Sequence, residues 1–201
     1  MKKKTLLPSL LFFIIISALC VPGIILSIVN PVMANSSTIY VPDTYDTIQK
    51  AINAANPSDT IIVRPGIYRE NVLVNKTLTL IGQDRNATII DGDGSGNVIQ
   101  VKISSKVSII NLTIQNSGTN PDNCGIMLSE VANTTIHNNI IKNNLIGVLL
   151  RRSNHTLLMD NIIMNNTSSG ISLADASDLN YIISNTLMNN TVGVRIQASF
   201  N

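Results

Sequence analysis

The chain has 201 residues, 44% of them hydrophobic, only 13% charged and 3% aromatic with no Trp. The formal net charge of +2 includes Lys2, Lys3 and Lys4, and beyond them 11 basic residues face 12 acidic ones. Such a balance excludes the basic footprint of a nucleic-acid binder and gives no general attraction to an anionic membrane.

The first predicted element is "MKKKTLLPSLLFFIIISALCVPGIILSIVNPVMANSS", with a basic start, a long apolar run and a small-residue exit. Residues 1–34 read as a secretory signal peptide with "VMA" as the exit, and an N-terminal membrane anchor is the alternative. Any membrane contact is expected through this segment alone, and the remainder, 35–201, is expected outside the cytoplasm. Cys124 is then the single cysteine of the domain, so no internal disulfide supports it.

Residues 46–55 carry a capping-box-like start, Asp46 with Gln49, and an apolar helical face of Ile48, Ala51, Ile52 and Ala55. This short helix is expected to plug one end of the fold and shield its strand edges. Strands are expected at about 60–63, 72–74, 77–81, 88–90 and 97–103, separated by the turns "RPG", "GQDRN" and "DGDGSG".

From residue 125 to 201 the sequence repeats. Gly125, Gly147, Gly170 and Gly193 open "GIML", "GVLL", "GISL" and "GVRI" at spacings of 22, 23 and 23. Ahead of three of them stand "NIIKNN", "NIIMNN" and "NTLMNN", which put Asn139, Asn161 and Asn185 in one column and Asn144, Asn166 and Asn190 in a second. The repeat is too short for a helical pair, lacks the leucine-rich frame, and suits three short strands with three turns. The predicted fold is all-β: a right-handed parallel β-helix of roughly six coils stacked at the strand spacing. Each Asn column then becomes a ladder of side-chain amides, because an amide offers both donors and an acceptor. The last coil, entered at Gly193, reads as incomplete; missing C-terminal coils or a partner chain are expected to cover that edge.

"TIQKAINAA", "DTIIVRPGIYRENVLVNKTLTLIG" and the later N-x-I-x-x-N turns resemble the NosD-like, pectin-lyase-like right-handed parallel β-helix proteins over about residues 39–201. That resemblance implies the fold and a periplasmic or cell-surface location, as in many prokaryotic and especially archaeal surface proteins. It leaves function open among polysaccharide lyases, glycoside hydrolases, pectin methylesterases and a periplasmic copper-binding family. "GIYRE" is similar to a pectin methylesterase element, but the Q-D-T-L type motif that holds those enzymes' aspartates does not occur here. Gly66, Tyr68 and Glu70 are therefore read as braces of the first coil.

Candidate sites follow from residue type and column. Glu130, Arg152 and Asp175 each lie five residues after a repeat glycine and would stack as minus, plus, minus with Arg151 beside them; the resemblance to polysaccharide lyases makes them the candidate catalytic group of a lyase or hydrolase, and the plainer reading is a surface charge ladder. Asp91, Asp93 and Ser95 start like a calcium loop, yet the twelfth position is Lys102 rather than a bidentate Glu. His137 and Met159 share a column and form the candidate copper pair, too few ligands on their own. No cofactor is expected; calcium and copper are the two alternatives. Asn75, Asn86 and Asn154 are the sequons placed in loops and are the glycosylation candidates. The sequence favours a non-catalytic surface or envelope module that is structural or faces a polysaccharide or surface glycan. A carbohydrate-active enzyme comes second and a copper protein third.

Overall fold

The computed structural model describes residues 36–102 and 106–197. The signal or anchor segment lies outside the described residues. Three parallel sheets wind around one axis, so consecutive strands go to different sheets and each strand pairs with its counterparts one turn before and after. Sheet A has seven strands, from Thr38–Val41 and Thr60–Val63 through to Tyr181–Ile183. Sheet B has six, from Gly66–Arg69 to Thr186–Met188. Sheet C has the six strands Val72–Val74, Ile99–Lys102, Cys124–Ser129, Ile146–Arg151, Ser169–Ala174 and Val192–Gln197. The result is a parallel β-solenoid of about seven coils, the first represented by Thr38–Val41 alone.

The strands form where branched residues alternate with polar ones, and register places the branched set inside. In sheet A, Ile61, Leu80, Ile109, Ile136 and Leu158 stack one above another, all fully buried. Ile90, Ile114, Ile141 and Ile163 do the same in sheet B. Sheet C supplies two columns, Ile99–Ile126–Val148–Ile171 and Val101–Leu128–Leu150–Leu173. Each full burial of such a side chain stabilises by about 1.5–3 kcal/mol, so this apolar interior carries most of the stability.

The helix is Ile48–Ala54, shorter than the expected 46–55. Asp46 is not its cap: Thr47 takes that position and accepts from the Lys50 N–H at 3.2 Å, while Asp46 pairs with the Lys50 ammonium at 2.8 Å. The first free helical amides go to a residue of the next coil. The Ile48 and Gln49 N–H groups donate to the two carboxylate oxygens of Glu70, at 2.9 and 3.0 Å. At the other end the Lys76 ammonium donates to the Asn53 and Ala55 carbonyls, at 3.2 and 2.9 Å. Gln49 then finishes the edge of sheet C as a missing strand would. Its Oε1 accepts from the Leu73 N–H at 2.7 Å and its Nε2 donates to the Leu73 carbonyl at 3.2 Å. Ile48, Ala51 and Ile52 close the end of the core.

Glu70→Ala removes both acceptors from the helix start. The expected cost is about 1–3 kcal/mol, the range for leaving donors unmet, and it is read as a lower urea midpoint. Glu70→Gln keeps one acceptor and is expected to lose about half of that. An unchanged midpoint for Glu70→Ala would show that the helix is held by its apolar face alone.

Candidate functional site

The corners of the coil dictate where side chains can act. Asn138, Asp160 and Ser184 adopt left-handed backbone (φ of 56°, 57° and 55°) between sheets A and B. Asn143, Asn165 and Asn189 do so between sheets B and C, with φ of 55°, 56° and 52°. Short polar residues tolerate this conformation best. The residue after each one turns inward: Asn139, Asn161 and Asn185 at the first corner, Asn144, Asn166 and Asn190 at the second. The doublet "NN" is thus a left-handed turn residue followed by a ladder residue.

The ladders are continuous. Asn139 Nδ2 donates to Asn161 Oδ1 at 3.1 Å, and Asn161 Nδ2 to Asn185 Oδ1 at 2.9 Å. The second ladder repeats this at 3.2 Å from Asn144 to Asn166 and 2.9 Å from Asn166 to Asn190. Upstream the columns continue as Leu112 and Ser117, whose backbone N–H groups donate to Asn139 Oδ1 and Asn144 Oδ1. A third corner has its own rungs, which sequence reading missed. Val131 N–H donates to Ser153 Oγ, Ser153 N–H to Ser177 Oγ and Thr156 N–H to Asn180 Oδ1. The common signal is Ser153 and Ser177, spaced 24 apart like Asn161–Asn185 and Asn166–Asn190 in the same pair of coils.

Sheet C is flanked by two concave regions. At the ends of its strands, Glu130, Arg152 and Asp175 hold left-handed turn positions, with φ of 56°, 48° and 52°. Arg152 donates to Glu130 Oε1 through Nη2 at 2.7 Å and Nε at 3.1 Å. Asp175 does not join them. It lies 3.4 Å from Arg151 Nε, and Arg151 is held more closely by Asp122 at 3.0 Å. The Asp122 carboxylate raises the Arg151 pKa further above its usual value. The expected trio is therefore split between a Glu130–Arg152 pair and an Asp122–Arg151–Asp175 cluster, and Asp122 of the irregular loop 116–124 is the member that the repeat pattern did not reveal. Glu130 and Arg152 remain more than half exposed and line, with Lys102 and Ser129, a cleft of about 320 Å³. Glu130 is engaged by the Arg152 guanidinium through both Nε and Nη2, so Oε1 is already occupied rather than free for a substrate proton.

At the beginnings of the strands lies a groove of about 370 Å³, lined by Asn71, Leu73, Ser95, Asn97, Gln100 and Asn123 among others. Asn71 Nδ2 donates to the Ser95 and Asn97 carbonyls at 2.6 and 2.8 Å, leaving its Oδ1 as an acceptor. Asn97 Oδ1 accepts from the Cys124 N–H at 3.0 Å and from its thiol at 3.3 Å, leaving Nδ2 as a donor. The Gln100 and Asn123 side-chain amides have no partner among the described residues. Every lining group is uncharged.

The metal candidates are placed as follows. Asp91 is nearly buried, and its Oδ2 accepts from Gln115 Nε2 at 2.7 Å and Asn116 Nδ2 at 2.9 Å, while Oδ1 accepts the Asp93 N–H at 2.9 Å. Burial pushes its pKa up, yet these donors outweigh it and hold the carboxyl below the ordinary range. Asp93 is a left-handed turn residue with φ of 52°, and the Ser95 carbonyl is taken by Asn71. His137 and Met159 are register partners in sheet A, and His137 Nδ1 lies 3.3 Å from the Met159 carbonyl and 3.6 Å from Asp160 Oδ2. Burial pushes the Cys124 thiol well up, so it is not a thiolate ligand at neutral pH. Among the described residues no three His, Cys, Asp or Glu side chains converge on one point. Asn75, Asn86 and Asn154 are all exposed.

A family model described as periplasmic copper-binding protein (NosD) matches residues 52–201. No curated protein matches the sequence. Among solved structures, the catalytic domain of a GH87 α-1,3-glucanase in complex with tetrasaccharides superposes with a TM-score of 0.65 at 16% identity, covering 78% of this chain and 30% of that one. A pectin methylesterase in complex with a hexasaccharide gives 0.56 at 15%, covering 82% of this chain and 66% of that one. The pectin methylesterase from Yersinia enterocolitica gives 0.54 at 18%, covering 70% of this chain and 60% of that one. At these identities the likeness is one of fold, and this chain spans less than two thirds of each enzyme structure. No helix among the described residues is long and apolar enough to cross a membrane.

Proposed function

The chain belongs to the NosD family of β-helix proteins, and from that premise we propose that it is an extracytoplasmic, non-catalytic module that faces glycan. The observation that carries this reading is the amide-lined groove beside sheet C, where side chains from successive coils leave donors and acceptors without protein partners. Amides stacked at the coil spacing suit a chain of hydroxylated rings, because Asn71 offers an acceptor, Asn97 a donor and Asn123 both to hydroxyls on successive rings. The family's periplasmic description and the apolar leader of the sequence support a location outside the cytoplasm.

The enzyme alternative would use the Glu130–Arg152 cleft. The test is to pass the full chain over immobilised neutral and acidic polysaccharides and to assay the eluate for released reducing ends or unsaturated products. Retention without product supports the module. Product release abolished by Glu130→Gln would replace this reading with a carbohydrate-active enzyme. Absence of retention on every polysaccharide would remove the glycan-facing role.

A further inference from the structure

We infer that the groove beside sheet C is a binding site for an uncharged sugar residue, a neutral hexose or N-acetylhexosamine unit, and that Gln100 determines this specificity. The inference rests on the glycan-facing reading above and names the class of glycan.

Gln100 is the residue out of place. On the outer face of sheet C it pairs in register with Leu73 on one side and Met127 on the other, and Leu149 follows Met127 in the same column. The three nearest column positions are apolar, Leu73 39% exposed and Met127 and Leu149 buried, and the column turns polar further on at Ser172 and Arg195. Cross-strand packing favours an apolar side chain at residue 100 as well. Instead the position carries a half-buried primary amide with no hydrogen-bonding partner among the described residues. This amide reaches solvent and opens into the groove, so both of its hydrogen-bonding groups are available to a ligand.

The rest of the groove supplies what such a ligand needs. Asn71 Oδ1 is a free acceptor, Asn97 Nδ2 a free donor, and Asn123 offers both. A side-chain amide presents a donor and an acceptor side by side, the complement of two adjacent sugar hydroxyls or of an acetamido group. Leu73 adds an exposed apolar surface for the C–H face of the ring. The volume of about 370 Å³ sits at the small end of the roughly 300–1,000 Å³ typical of small-molecule sites.

Charge separates the classes. None of the lining residues is ionisable. The acidic groups adjacent in sequence are already committed, Glu70 to the helix amides and Asp122 to Arg151. A uronate carboxylate seated here finds no cation in the lining, with Lys102 two residues on along the same outer face in the neighbouring cleft, whereas a neutral ring exchanges hydroxyl–water bonds for hydroxyl–amide bonds within the groove.

Gln100→Leu tests the site because it leaves the fold intact: leucine continues the column between Leu73 and Met127. Titration calorimetry on the full chain would use N-acetylglucosamine tetramer and maltotetraose as neutral probes and tetragalacturonate as the acidic one. The expected result is heat from at least one neutral probe and none from tetragalacturonate. Gln100→Leu is expected to weaken the neutral binding roughly tenfold, as befits loss of the amide's hydrogen bonds, with no fall in the urea midpoint. Binding of tetragalacturonate alone would overturn the assignment of class while the glycan-facing reading stands. Neutral binding untouched by Gln100→Leu would overturn the groove as the site. Silence with every probe would overturn both.

Discussion

Gly147→Ala is expected to destabilise the protein by about 3 kcal/mol or more, at or beyond the upper end of ordinary overpacking. Added at Gly147, a Cβ would lie 2.4 Å from the Gly170 carbonyl oxygen, 2.8 Å from Ile163 Cγ2 and 3.1 Å from Asn166 Nδ2. The nearest of these atoms is backbone in the next coil, so relief requires two coils to separate along a shared ladder. The glycine is there for space: its φ is not left-handed. Gly193 is the internal control. It stands in the same sequence column, yet a Cβ there meets nothing closer than Leu187 Cδ2 at 3.9 Å. Gly193→Ala is expected to stay within about 0.5 kcal/mol, as for surface substitutions. Urea unfolding of the two variants reads the difference, and equal midpoints would show that coil spacing is adjustable.

Asn161→Ala is expected to cost about 3–5 kcal/mol, because buried groups lose their side-chain partner together. Asn161 is 1% exposed. Its Oδ1 accepts the Asn139 N–H at 3.0 Å and Asn139 Nδ2 at 3.1 Å, while its Nδ2 donates to the Ile136 carbonyl and to Asn185 Oδ1, both at 2.9 Å. Alanine withdraws the side-chain partner of the buried Asn139 N–H and Ile136 carbonyl, while Asn139 Nδ2 keeps the Ile109 carbonyl at 2.9 Å and Asn185 Oδ1 keeps the residue-161 N–H at 3.0 Å. Asn165→Gly tests the other half of the doublet logic. Asn165 is exposed and left-handed, with φ of 56°, a conformation glycine adopts without strain. That change is expected to shift stability by only a few tenths of a kcal/mol. A small effect for Asn161→Ala would mean that the ladder is ornamental and the branched columns alone hold the coils together.

The repeating half of the fold was legible because one coil has one period. Once Gly125, Gly147 and Gly170 are aligned, the inward columns and both Asn ladders follow by counting. Counting fails where a column changes residue type. Ser153 and Ser177 keep the same 24-residue step as Asn161–Asn185 and Asn166–Asn190, but their column runs Val131 then Ser153 then Ser177, so no repeated letter marks the third ladder. The strand Gly66–Arg69 was hidden by the turn signal "RPG" before it, and Thr38–Val41 by Pro42 and the polar run after it. The helix cap shows a different limit: Glu70 serves the helix from 22 residues away, and no local motif encodes that.

The site was legible only in part. Glu130 and Arg152 are neighbours as their columns imply, but Asp175 pairs with Arg151, the next residue along, whose guanidinium also binds Asp122. Asp91 looked like a calcium ligand by spacing, whereas its oxygens are occupied by the amides of Gln115 and Asn116 from the following coil. Gln100 drew no notice in the sequence because its oddity is two-dimensional. It lies 27 residues from both Leu73 and Met127, and only register makes the three adjacent.

The matching upper and lower surfaces of successive coils bear on how such a chain can lengthen. Ile141 sees Ile114 below and Ile163 above, and Asn161 sees Asn139 below and Asn185 above. A duplicated segment of one coil would therefore meet, on both sides, the partners its parent already had. Gene duplication of one coil can add a turn here without inventing an interface, and a difference of one residue between coils is absorbed outside the strands, since sheet C steps by 22 and then by 23 residues with Ile126, Val148 and Ile171 still inward.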